Sequence, residues 1–152
     1  MSTNTGSQGM SLIVKTVTRL TVGLVFLYGV YIVLNGHLSP GGGFSGGVII
    51  GLAFINMVLA YGRDAASRIA TASGASILES MGAIMYVSIA LLGLSWGGFF
   101  KNFLPHGTPF RLLSSGTLPL MNIAICLKVG AGMFSIFLAL IVLLRFEPEG
   151  KK

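Results

Sequence analysis

Charge is what this sequence has least of: 9% of its 152 residues are Asp, Glu, Lys or Arg, and only four of them are acidic. Soluble domains carry nearer a quarter, so this supply is too thin to solvate a globular surface. Cysteine occurs once, at Cys126, which excludes an internal disulfide and a cysteine-based zinc site. Inside an apolar run a lone thiol serves as a small filler. With two His and four acids dispersed along the chain, no cluster is in place to hold a metal or activate a nucleophile. The expectation is therefore no enzyme, no metal site and no cofactor. A net charge of +6 raises nucleic acid as a partner, but Lys and Arg stand singly at the ends of apolar runs. No basic patch interleaved with aromatics exists, and nucleic-acid binding is excluded on that ground.

What the chain has instead is apolar length. Hydrophobic residues make up 53% of it and the mean hydropathy is +0.86. Four apolar stretches stand out, at residues 17–34, 43–61, 77–100 and 118–144. Each is about 18 residues or longer, enough for a helix to cross a hydrocarbon core of ~30 Å. Only helices satisfy an isolated segment's backbone in lipid, so the fold class is an all-α membrane protein with four transmembrane helices in one domain, 1–152. Lys15 and Arg19 before the first stretch imitate a signal peptide, but no small-x-small cleavage site follows, and the segment reads as an uncleaved helix. With an even number of crossings, Lys15, Arg19, Arg63, Arg68, Arg145, Lys151 and Lys152 share one side, against Lys101 and Arg111 on the other. That asymmetry predicts both termini in the cytoplasm. The external segment 101–117 mixes apolar residues with Pro105 and Pro109, as expected of a segment lying along the membrane or a partner.

Glycine is plentiful, at 22 residues, and densest in Pro40-Gly41-Gly42-Gly43-Phe44-Ser45-Gly46-Gly47. The run contains G-x-G-x-x-G, but joins two spans rather than a strand and a helix, so dinucleotide binding is rejected. Ser39 is placed to cap the second helix and Pro40 to begin it. Gly43, Gly47 and Gly51 recur every four residues, a spacing that lets another backbone approach. It suits packing within the chain and docking to a neighbouring subunit equally. His37 in the same turn could in principle relay protons or simply sit at the interface, and Asn56 and Asn122 have amides able to bond across helices.

Lys128 is the eleventh residue of the fourth stretch, where an ammonium costs about 2.5–3.5 kcal/mol on insertion scales. Ala124, Ala131, Gly132 and Ser135 share its face, which turns it towards protein or a cavity; Ile123, Cys126, Met133 and Phe137 are expected on the opposite, lipid side. Snorkelling to the outer headgroups is the simpler alternative. Glu79 reads as the end of a capping box, Ser76-x-x-Glu79, at the start of the third span. That places it about 20 Å from Lys128 along the membrane normal, so a counter-charge is expected from another chain.

Two motifs resemble a known family. Gly36-His37-x-x-Pro40-Gly41-Gly42-Gly43-Phe44-x-Gly46-Gly47 is similar to the first signature of the MrpB (MnhB) subunit of the bacterial multisubunit Na+/H+ antiporter. Gly116-Thr117-x-Pro119-x-x-Asn122-Ile123-x-x-x-Leu127-Lys128-Val129-Gly130 is similar to its second. The resemblance covers residues 12–146. It implies an accessory subunit of a hetero-oligomeric complex in the bacterial cell (inner) membrane that exchanges Na+ for H+ on the proton-motive force, with the other subunits and lipid as partners. Candidate ion-pathway or subunit-contact residues are then Lys128, His37, Pro40, Gly41, Gly42, Gly43, Phe44, Gly47, Pro119 and Asn122. Two rivals remain: the equivalent small subunit of a membrane-bound hydrogenase or complex I-like respiratory complex, and a free-standing homodimeric transporter. The latter needs a central membrane acid, and no Asp or Glu is central to any span on this reading.

Overall fold

A computed structural model of the chain describes residues 10–62, 72–105, 107 and 114–146. Among the described residues there are four long helices and no strand: α1 (Leu12–Leu34), α2 (Gly42–Tyr61), α3 (Ala72–Leu92) and α4 (Leu118–Phe146). Each is long and apolar enough to cross a bilayer, and the chain is a multi-pass membrane protein. The basic residues Arg63, Arg68, Arg111, Lys151 and Lys152, on which the sidedness expectation leans, lie outside the described residues.

Helix limits match the apolar stretches to within two residues for α2 and α4, whereas α1 begins early and α3 both begins and ends early. α1 starts five residues early, because Leu12, Ile13 and Val14 carry the apolar surface back past Lys15 and Arg19. α3 starts at Ala72 and ends at Leu92, followed by a 3₁₀ turn, Gly93–Trp96. Hydropathy alone carries that span to residue 100. The backbone stops sooner because Gly97 adopts φ 96°, a left-handed cap. Gly93 then lies so close to the returning chain that a Cβ there would meet Lys101 N at 2.7 Å. The apolar residues beyond form an aromatic cluster instead of helix: Trp96 stacks on Phe103 at 5.1 Å, and Phe100 meets Phe99 and Tyr86 at 4.5 and 5.6 Å. Such rings suit the boundary between hydrocarbon and headgroups.

The helices stand in a row whose order departs from the sequence. α1 packs on α2, α2 on α4, and α4 on α3; α1 also touches α4. α3 meets neither α1 nor α2 among the described residues. Small residues make each seam. On α2, Gly46 faces Val33 and Gly29 of α1, while Gly43, Gly47 and Gly51 face α4. Gly47 lies against Cys126 and Val129, and Gly51 against Gly130 and Met133. The spacing of four therefore serves packing within the chain. It also corrects the expected lipid side of α4, since Cys126 and Met133 face α2. The most buried side chains are correspondingly small, Ala124 at 0% and Ala53 at 1% exposure, whereas Leu12 and Ile13 stand 81% and 76% exposed. In lipid this inversion carries no penalty, because acyl chains solvate Leu and Ile as well as a protein core does, and close backbone contact drives association.

Along one face of the row runs an apolar groove of about 490 Å³, lined by Phe26, Ile50, Phe54, Leu78, Leu127 and Phe134 among others. Phe54 stands edge-on to both Phe26 and Phe134, at 6.1 and 6.5 Å.

Candidate functional site

The two sequence motifs, some 80 residues apart, meet at one end of the α1–α2–α4 seam. Asn122 of α4 enters between the turn that ends α1 and the glycines that begin α2. Its Oδ1 accepts the Gly43 N–H at 3.3 Å. A Cβ on Gly36 would lie 2.7 Å from Asn122 Nδ2, one on Gly42 would lie 3.1 Å from Oδ1, and one on Gly43 would strike the Asn122 backbone. The Asn122 amide crowds Gly36 and Gly42 and its backbone crowds Gly43, so Asn122 leaves no room for a side chain at any of the three.

That amide also replaces the expected cap. The first N–H groups of a helix lack intrahelical partners, and Ser39 is the acceptor that the sequence offers. Ser39 instead turns back: its N–H and its hydroxyl both donate to Asn35 O, at 3.0 and 3.1 Å. α2 begins behind Gly41 at φ 120°, with Gly42 at φ 54°. A left-handed pair leaves no room for a side-chain cap at the N-cap position itself, so the acceptor comes from a different helix. The start of α2 is therefore tied to the presence of α4.

The remaining candidates spread around this junction. Gly42, Gly43 and Gly47 are buried in it, His37 is half-buried in the turn, and Pro40 and Gly41 form the exposed tip. Phe44 projects outward at 65% exposure. Pro119 is buried in the first turn of α4. Among the described residues no three of His, Cys, Asp and Glu come together. What the junction offers chemically is backbone N–H groups at a helix start, one amide and one imidazole.

A residue absent from the motif reading holds the second motif in place. Asn102, in the segment after the 3₁₀ turn, accepts the N–H of Leu104 and of Thr117 through Oδ1, at 3.2 and 3.1 Å. Its Nδ2 donates to Ser115 O at 3.3 Å. Gly116, at φ 60°, has no space for a Cβ against that amide. Thr117 is buried to 2% exposure beside it. An Asn at such a distance before a Gly-Thr pair gives no signal in sequence; only the fold brings them together.

Lys128 lies apart from the junction, on the opposite side of α4. Gly82 of α3 packs against its backbone, with a Cβ there falling 2.7 Å from Lys128 N and 2.8 Å from Ala124 O. Ala124 is fully buried in this seam, as its small-residue face predicts, but the Lys128 side chain departs from the expectation that it faces protein or a cavity and is exposed at the seam's edge. Glu79 departs from expectation. α3 begins at Ala72, so Glu79 is its eighth residue, and Ser76 is already inside the helix, its carbonyl accepting the Ser80 hydroxyl at 2.9 Å. The Glu79 carboxyl lies 3.8 Å from where a Cβ on Gly132 would be, one helical turn along α4 from Lys128. With Gly82 level with Lys128 and Glu79 three residues from Gly82, the offset along the helices is about 4.5 Å, not 20 Å.

Comparison with known proteins agrees with this architecture. A family model described as "Domain related to MnhB subunit of Na+/H+ antiporter" matches residues 13–135. A protein of Methanocaldococcus jannaschii described only as uncharacterized is 34% identical over 117 residues, 72% of this chain and 44% of that one. Proteins named putative antiporter subunit mnhB2 are 45% identical in Staphylococcus saprophyticus and 47% in Staphylococcus aureus, over 49 residues that make up 32% of this chain and 35% of theirs. The matches thus span less than half the length of these curated relatives. Among solved structures, a chain of the membrane-bound sulfane sulfur reductase, an archaeal respiratory membrane complex, superposes with a TM-score of 0.72 at 32% identity, covering 90% of this chain and 58% of that one. With a family model matched from the first helix into the fourth, the chain belongs to the family of domains related to the MnhB subunit of Na+/H+ antiporters.

Proposed function

We propose that this chain is an accessory transmembrane subunit of a multisubunit cation/H+ antiporter, resident in the inner membrane of a bacterial cell with both termini in the cytoplasm. The observation that carries the reading is the open row of helices. A free-standing carrier encloses its route between helices, whereas among the described helices α3 packs on α4 alone, at one end of an open layer. Such a layer is suited to be flanked by other membrane subunits. Glu79 is the one acid in the four described helices, so they lack the row of ionisable groups that a complete proton route through one subunit requires. The ion route of the complex is assigned to other subunits, with Na+ and H+ as its ions.

A second reading has its own support. The likeness to a chain of an archaeal respiratory membrane complex extends over 90% of this sequence, and the same module would serve as a small membrane subunit there. Purification of the intact assembly through a tag on this chain separates the two. Recovery of large membrane subunits alone, with Na+-dependent proton movement in vesicles containing the assembly and none in vesicles containing this chain only, is the expected outcome. Co-purification of redox proteins would favour the respiratory reading. Exchange by the isolated chain would overturn the accessory role.

A further inference from the structure

A membrane-embedded Lys without a counter-charge is expensive, and the sequence alone offers none. The α3–α4 seam does. Gly82 and Gly132 bring the two backbones together at a diagonal: Gly82 of α3 sits on Lys128 of α4, and Gly132 of α4 sits under the carboxyl of Glu79 of α3. Glu79 and Gly82 are three residues apart, Lys128 and Gly132 four, so all four residues occupy one patch of seam within about a single helical turn. The approach depends on glycine, because a Cβ on Gly82 would collide with the Lys128 backbone.

We propose that Glu79 and Lys128 form one intramembrane carboxylate–ammonium couple, each the other's counter-charge, and that no acid from a partner subunit is required to hold Lys128 in the bilayer. The two are not joined as a direct ion pair in this structure, and helix geometry accounts for that. Side chains lean towards the start of their own helix. α3 and α4 run antiparallel, so Glu79 leans one way along the membrane normal and Lys128 the other. The carboxyl over Gly132 is the visible result. Both side chains are long, and the couple requires a change of rotamer that brings the carboxylate and the ammonium together. Beyond Gly132 on the same face of α4, the hydroxyl of Ser135 is buried with no hydrogen-bond partner, a further polar group on the Glu79 side. Of the other charged residues in the described helices, Lys15 and Arg19 lie near the start of α1, which does not contact α3. Arg145 lies in the last turn of α4, about 20 Å beyond Gly132 along the helix. The couple is therefore isolated from the other fixed charge of these helices.

The couple stabilises this chain itself, whichever complex it joins. Its test uses the tagged full chain in its native membrane, reading the amount of assembled complex and its melting temperature after extraction, not transport. Glu79→Gln, Lys128→Gln, the double variant and the exchange Glu79→Lys with Lys128→Glu make a cycle. Each single change strands one charge, and is expected to lower assembled complex about tenfold or more. The double variant and the exchange should return to within about twofold of the wild type, a coupling that independent sites do not give. If the two single effects simply multiply in the double variant, or if the exchange recovers nothing, the couple does not exist. Wild-type levels of Glu79→Gln would overturn it equally, because an ammonium that loses its only counter-charge without cost was never balanced by it.

Discussion

At the scale of single residues, Asn122 makes the clearest commitment. It supplies the acceptor for Gly43 N–H that Ser39 does not, and it fills the space left by three glycines. Asn122→Ala removes the acceptor and the amide packed against Gly36 and Gly42, leaving a part-buried N–H without its partner; a destabilisation of about 1–3 kcal/mol is expected, visible as a lower melting temperature of the extracted complex. Asn122→Asp keeps the acceptor and should retain more of the stability than Ala; equal loss in both would mean that the bond to Gly43 contributes nothing. For Lys128 the informative change is Lys128→Arg, which keeps the positive charge but removes the option of losing a proton near neutral pH. With an electrostatic role, exchange per assembled complex stays within about twofold of the wild type, whereas a fall of about tenfold or more would point to a proton-transfer step or a strict fit for the ammonium. Both residues are legible in the sequence as unusual, a polar amide and a charge in apolar runs. Their partners are not. Gly43 lies 79 positions from Asn122, and Glu79 has the spacing of a helix cap in Ser76-x-x-Glu79, which hides its place inside the helix. Hydropathy falls at Arg63 and Arg68 and recovers gradually through Ala and Ser, so nothing in the letters marks Ala72 as the start of α3.

At the scale of elements, glycine position decides which substitutions a helix accepts. Gly47 is buried between α2 and α4, where a Cβ would meet Cys126 O at 2.9 Å and Val129 Cβ at 3.0 Å. Neither is a flexible side-chain end. Gly47→Leu should therefore split the α2–α4 seam and deplete the chain itself from membranes, before any question of complex assembly arises. Gly23 of α1 has open space around it, with nothing within 4 Å of where a Cβ would stand. Gly23→Ala should be neutral or stabilising by up to about 1 kcal/mol, since Ala is the better helix former. Immunoblots of membrane fractions compare the two; similar depletion by both would deny that the seams depend on backbone contact. The existence of four spans is plain from apolar runs alone, as is the inward face of α4 around Ala124. The glycine ladder is equally plain, but its spacing does not say whether the opposing backbone lies in this chain or another. Two faces of α2 carry small residues, and period alone does not rank them.

At the scale of the whole molecule, the seams fix adjacency but not sidedness, which rests on the distribution of Lys and Arg. Reporters fused after Lys152 and between Arg63 and Ala75 should behave as cytoplasmic, and one at Thr108 as external; an external C-terminus would overturn the assigned orientation. Within the row, the order α1–α2–α4–α3 is beyond sequence reasoning, because every span is apolar on all sides and neighbours are chosen by the fit of small residues. That order has a consequence for biosynthesis. As the chain leaves the ribosome, α1 and α2 can pair at once, but α3 enters the membrane with no surface of its own to join. Its one long-helix neighbour among the described residues, α4, has not yet been made. α4 then arrives as a wedge that completes both halves, capping α2 through Asn122 and receiving α3 along Ala124 and Gly132. A nascent chain cut short before α4 would hold an uncapped helix and a solitary one, so the packing of α2 and α3 is complete only once α4 has been made.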